Sequence, residues 1–207
     1  MKLNHSPTSP YVRKVLVSAL ELGLAGRIEK VDSNPWDEAD ALPATNPLGK
    51  VPALTTDDGQ VLFDSLVICD YLDGLQPETS LIPREAAART AVLRLHAAAD
   101  GILDAAVLRL IERARRPEGY RWPEWDARQK AKIDRALDLL DSEAEAPAGP
   151  LTLAPITLAP ITLGCALGYL DFRFPEEDWR AGRPKLAAWY RDFAGRPSMR
   201  DTAPPEA

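Results

Sequence analysis

Ser9 stands directly before Pro10, at the start of a run with helical spacing. Pro10 suits a first helical turn, because its missing N–H has no intrahelical partner there. Ser9 then takes the N-cap, among unpaired backbone N–H groups at the positive end of a helix dipole. Such a place holds an anion, and a thiolate is an anion. Thr8 offers a second hydroxyl in the same turn, so either residue can be the donor. A cap with no further duty is the other reading of Ser9, and the residues that accompany it decide between the two.

Two further constellations supply that company. In Val51-Pro52-Ala53-Leu54-Thr55 a proline sits in a strand-like run, where it cannot donate to a ladder. An edge strand tolerates it. A cis Val51–Pro52 bond also accounts for it, and leaves the Val51 N–H and C=O to pair with a ligand's backbone as an added strand would. Asp64-Ser65 places an acid and a hydroxyl at the start of the next helical run. Free N–H groups there suit a carboxylate and Asp64 suits an ammonium, although the pair is also an ordinary cap. Lys50 can meet a second carboxylate or stay solvated.

The elements that must position these groups follow from periodicity. Residues 2–5 form a short strand, and Val12, Val15, Leu16, Ala19 and Leu20 recur at helical spacing until Gly23 and Gly26. Arg27 to Asp32 alternates as a half-buried strand, so strand, helix and strand predict a parallel βαβ unit. Residues 33–47, with three prolines, read as an irregular connection. Thr56-Asp57-Asp58-Gly59 between two apolar runs predicts a hairpin, and a helix follows Asp64-Ser65 to about Leu72. The sum is a four-stranded mixed sheet with helices packed on it. Gln76 to Pro83 has linker composition, after which a long helical pattern covers 84–116, another covers 124–145, and shorter ones cover 157–173 and 184–194. Thr152-Leu153-Ala154-Pro155-Ile156 is repeated at once as Thr157-Leu158-Ala159-Pro160-Ile161, which leaves open which copy begins a helix.

Composition narrows the function. The 207 residues suffice for one large domain or two small ones, and 45% hydrophobic with 27% charged is an ordinary globular balance. A net charge of −6 without a basic run speaks against nucleic acid. No apolar stretch approaches a membrane span and the start lacks a signal-peptide core, so a cytoplasmic protein is expected. Cys69 and Cys165 lie in apolar helical runs and read as small core residues. With His5 and His96 far apart in sequence, no metal-ligand set is visible.

Taken together, Thr8-Ser9-Pro10-Tyr11, Asn46-Pro47-Leu48-Gly49-Lys50-Val51-Pro52 and Phe63-Asp64-Ser65, followed by helices, resemble the bacterial cytosolic-type glutathione S-transferase family. Ala99-Asp100-Gly101-Ile102-Leu103-Asp104-Ala105 and Cys165 to Arg173 match the same family, so the resemblance covers nearly the whole chain. It implies an α/β thioredoxin-like N-terminal domain over residues 1–75, a linker over 76–83 and an all-α helical-bundle domain over 84–207. Glutathione is the implied cosubstrate, and its thiolate would attack a small electrophile in a homodimeric enzyme. A non-catalytic glutathione- or ligand-binding protein, or a glutathione-dependent isomerase or dehalogenase, is the alternative on the same fold. On this resemblance Ser9 is the catalytic residue, and Thr8, Lys50, Val51, Pro52, Asp64 and Ser65 bind substrate. Asp100 would reach across the dimer to the partner's bound ammonium.

Two departures stand out. Family members commonly begin the sixth helix with Thr-x-x-Asp, whereas Thr157-Leu158-Ala159-Pro160 puts proline where the acid belongs and leaves about 1 kcal/mol of capping in question. Relatives that reduce disulfides carry cysteine where this chain has Ser9, which disfavours thiol–disulfide exchange. A free thiol has a pKa of about 8.5, and lowering it by about two units needs ~2.7 kcal/mol. A hydroxyl hydrogen bond and a helix N-terminus together have that magnitude.

Overall fold

The structure, a computed structural model, describes residues 1–37, 40–144, 151–152 and 154–205. The backbone divides into two compact units, Met1–Arg84 with Pro197–Ala207, and Glu85–Arg196.

The first unit is built on four strands, β1 (Lys2–His5), β2 (Glu29–Asp32), β3 (Ala53–Thr55) and β4 (Val61–Leu62), in the order β2-β1-β3-β4. β1 and β2 are parallel, as the strand–helix–strand pattern predicts, while β1–β3 and β3–β4 are antiparallel. The register sets Asn4 opposite Ala53 and Leu54 opposite Leu62. Helix α1 (Pro10–Glu21) joins β1 to β2 and buries Val12, Val15, Val17 and Ala19. The connection expected to be irregular contains a short helix, α2 (Leu42–Thr45). Its start is fixed by Asp40, whose carboxylate accepts from the N–H groups of Leu42 at 2.8 Å and Asn34 at 2.6 Å. Helix α3 (Ser65–Gly74) packs Ile68, Cys69 and Leu72 inward.

The two units differ from the expected boundaries at two places. The helical unit does not run to residue 207: Pro197–Ala207, including α8 (Pro197–Arg200), belongs with the first unit. Side chains of α1 hold it there. Arg13 donates to the Met199 carbonyl at 2.9 Å, and Ser198 donates to Glu21 at 2.5 Å. Residues 76–83 also join the first unit, where the Asp73 carboxylate accepts from the N–H groups of Leu81 and Ile82.

In the second unit α4 (Ala86–Leu110) packs along α5 (Pro123–Glu143) and α6 (Leu158–Arg173), with α7 (Pro184–Ala194) against the latter two. Every residue of α6 from Leu158 to Leu170 is buried, so a helix apolar on all sides is the centre of the bundle. α6 begins in the second copy of the repeat. Thr157 is its N-cap without a side-chain capping bond, and Pro160 occupies the third helical position. Leu153, in the first copy, lies outside the described residues. α4 continues through a π-helical turn at Ile111–Arg115, and here Arg109 is almost wholly buried. Its guanidinium bonds Asp126 at 3.0 Å and Glu177 at 2.6 and 2.9 Å, and lies 4.5 Å from the Phe174 ring centroid. Arg113 shares both acids, at 2.7 and 3.0 Å.

Candidate functional site

The strand register gathers the sequence-marked groups of the first unit. Ser9 follows the C-terminal end of β1, Pro52 precedes the N-terminal end of β3, and Asp64 follows the C-terminal end of β4. Because β3 runs against both neighbours, these three ends fall at one end of the sheet. Adjacent strands lie about 4.8 Å apart, so the row from β1 to β4 spans about 10 Å. The N-termini of α1 and α3 both open at this end, which gives it a positive field without a cluster of basic side chains.

Each group has a local cause for its position. Ser6 to Ser9 form a turn closed by the Ser9 N–H on the Ser6 carbonyl at 3.1 Å, and Thr8 lies within it, half-buried. Ser9 is the N-cap of α1, and its hydroxyl accepts from the Val12 N–H at 3.3 Å. That bond uses a lone pair and leaves the hydroxyl proton to donate elsewhere. The Val51–Pro52 bond is cis, with both residues buried. Among the described residues no hydrogen bond engages the Val51 N–H or C=O. Asp64 is the N-cap of α3, its carboxylate accepting from the Leu66 N–H at 3.0 Å. Ser65 is the first residue of the helix and is buried, and the Phe63–Asp64 bond is also cis. Lys50 is exposed, two residues before Pro52.

Asp100 belongs to the other unit, half-buried on α4. Asn46, in the Asn46-Pro47-Leu48-Gly49-Lys50-Val51-Pro52 motif, joins the site although the sequence alone assigns it no contact. Asn46 is buried, and its side chain closes the 46–50 loop by bonding Leu48 N–H at 3.0 Å and Lys50 C=O at 2.8 Å. The signal was present, since an Asn-Pro pair before a glycine marks a side-chain-closed turn.

Models of the glutathione S-transferase N-terminal domain match residues 8–75, and of the C-terminal domain residues 123–192. The uncharacterized GST-like protein YibF of Escherichia coli K12 is 36% identical over 207 residues, covering 100% of both chains. The chain belongs to the glutathione S-transferase family. A glutathione transferase family member from Pseudomonas fluorescens Pf-5, crystallised with bound glutathione, is 48% identical with a TM-score of 0.91, covering 99% of this chain and 98% of that one. A second structure from that organism holds S-(propanoic acid)-glutathione, at 48% identity and a TM-score of 0.88, covering 99% of this chain and 100% of that one. The transferase fold of the resemblance, a thioredoxin-like unit with a helical unit, is therefore the fold of this chain. Among the described residues of this transferase-family chain, no helix is long and apolar enough to cross a membrane.

Proposed function

We propose that this chain is a glutathione transferase that binds glutathione along the end of its sheet and presents the thiolate to a small electrophile. The observation that carries the reading is the alignment of Ser9, Val51 and Asp64-Ser65 along one row of about 10 Å. A tripeptide has that length, at roughly 3.4 Å per residue. The γ-glutamyl end meets α3, with its carboxylate on the helix N-terminus and Ser65, and its ammonium on Asp64. The cysteinyl backbone pairs with Val51 beside Pro52, in the manner of an added strand. The glycine carboxylate meets Lys50.

The thiol then lies at α1. Ser9 donates its hydroxyl proton to the sulfur, Thr8 being the alternative donor, and the thiol proton leaves to solvent. The sulfur lone pair forms a C–S bond with the electrophile, and a leaving group, where there is one, departs with its electron pair. The P. fluorescens relative binds S-(propanoic acid)-glutathione, a thioether of the kind this step forms.

Ser65→Ala tests the assignment of the γ-glutamyl end. Titration calorimetry should show glutathione binding weakened by about 1–3 kcal/mol, the cost of losing a partner to a charged group. Unchanged affinity in a folded variant contradicts the assignment.

The working unit we propose is a homodimer in which Asp100 reaches the ammonium of glutathione bound to the partner. Ala97 and Gly101 are exposed one turn apart beside Asp100, and a Cβ at Gly101 would meet open space, which suits close approach of another chain. Sedimentation at micromolar concentration should give twice the chain mass, and a monomer there removes the role of Asp100.

A further inference from the structure

Asn46 is the buried polar side chain of the 46–52 segment, and all four of its polar groups are engaged. Its N–H donates to the Leu42 carbonyl at 2.7 Å and its C=O accepts from Gly49 at 2.8 Å. The side-chain oxygen accepts from Leu48 at 3.0 Å, and the side-chain nitrogen donates to the Lys50 carbonyl at 2.8 Å. Gly49, at φ +60°, turns the chain back so that Lys50 can reach this donor. The last bond has a consequence beyond the loop. The Lys50 carbonyl and the Val51 N–H belong to one planar peptide unit, and that unit is trans. In a trans unit the N–H points opposite to the C=O. A donor that fixes the Lys50 oxygen therefore aims the Val51 N–H away from Asn46, and nothing among the described residues takes it up.

We infer that Asn46 is a positioning residue for glutathione, whose side-chain amide orients the Lys50–Val51 peptide so that the Val51 N–H meets the tripeptide backbone. This rests on the reading of the sheet end as a glutathione site. The amide is matched to the task. Glutamine carries one methylene more, and aspartate keeps the oxygen that accepts from Leu48 but sets a carboxylate against the Lys50 carbonyl.

The test is glutathione titration of the purified full chain, with Asn46→Ala and the isosteric Asn46→Asp, together with steady-state conjugation of a generic aryl halide. Both variants should bind glutathione about tenfold more weakly. The rate at saturating glutathione and the pKa of the bound thiol should stay as in the wild type, because Ser9 lies on another element. A residue that merely fills space would leave Asn46→Asp with wild-type affinity, and that result overturns the inference. So does a fall in saturated rate with a raised thiol pKa, which signals general loosening of the site. Should Asn46→Ala not fold, Asn46→Asp decides alone. Failure of the wild type to bind glutathione overturns the proposed function and this inference with it. Wild-type binding that both variants retain overturns only the inference.

Discussion

Arg109→Ala should cost this chain about 3 kcal/mol of stability, more than any single change at the glutathione site. The side chain is 1% exposed and holds Asp126 and Glu177, which are 17% and 25% exposed. Removing a buried partner strands the charges it served, at about 3–5 kcal/mol when burial is complete. Residual water at the two acids and the remaining Arg113 bonds place the loss at the lower end. The effect should depend on pH. Bonds from Arg109, the attraction of its charge and bonds from Arg113 hold the Glu177 carboxyl below its ordinary range against the pull of burial. For Asp126 burial is the largest influence and raises it, but bonds from Arg113 and Arg109 outweigh it and the net shift is downward. A carboxyl with a lowered folded pKa stabilises the protein above its unfolded value, about 4, and loses that contribution as pH falls through the folded value. Urea unfolding should therefore show the gap between wild type and Arg109→Ala widest near neutrality and narrowing below about pH 4. A gap independent of pH would mean that Arg109 acts through packing on Phe174 and not through its ion pairs.

Ser9→Ala should lower conjugation near neutral pH by at least about tenfold, with a smaller change in glutathione affinity. One hydrogen bond to a charged group contributes about 1.5–3 kcal/mol, or roughly one to two pKa units on the bound thiol. The variant also loses the cap on Val12, which costs about 1 kcal/mol of stability, so rates must be compared below its melting range. A pH–rate profile separates the two effects, since a lost cap does not move the thiol pKa. Full activity in Ser9→Ala together with loss in Thr8→Ala transfers the role to Thr8.

Much of the arrangement at the sheet end was legible in local chemistry. Ser9 before Pro10 and Asp64 before an apolar run are helix starts that need no tertiary information, and the structure makes both residues N-caps. The strand–helix–strand pattern up to Asp32 and the turn at Thr56–Gly59 pointed to a mixed sheet. The antiparallel pairing of β1 with β3, which decides which strand ends meet, has no local signal, and β2 is a mostly exposed edge rather than a half-buried alternating strand. What escaped depends on partners distant in sequence or on equal local signals. The two copies of the repeat are identical, so only burial of the second against the bundle decides where α6 begins. The return of 197–207 depends on Arg13 and Glu21, reaching 177 residues or more along the chain. The Arg109 network joins residues up to 68 apart, and nothing in their spacing foretells it. The cis bond at Phe63–Asp64 has no proline to announce it.

If the end of this sheet holds glutathione as its thiolate, the absorbance of the thiolate bound to the purified chain, followed against pH, will show it. The signal should saturate, with a midpoint about two units below the value near 8.5 of a free thiol. Glutathione that binds with an unshifted thiol, or that gives no saturable signal at all, contradicts it.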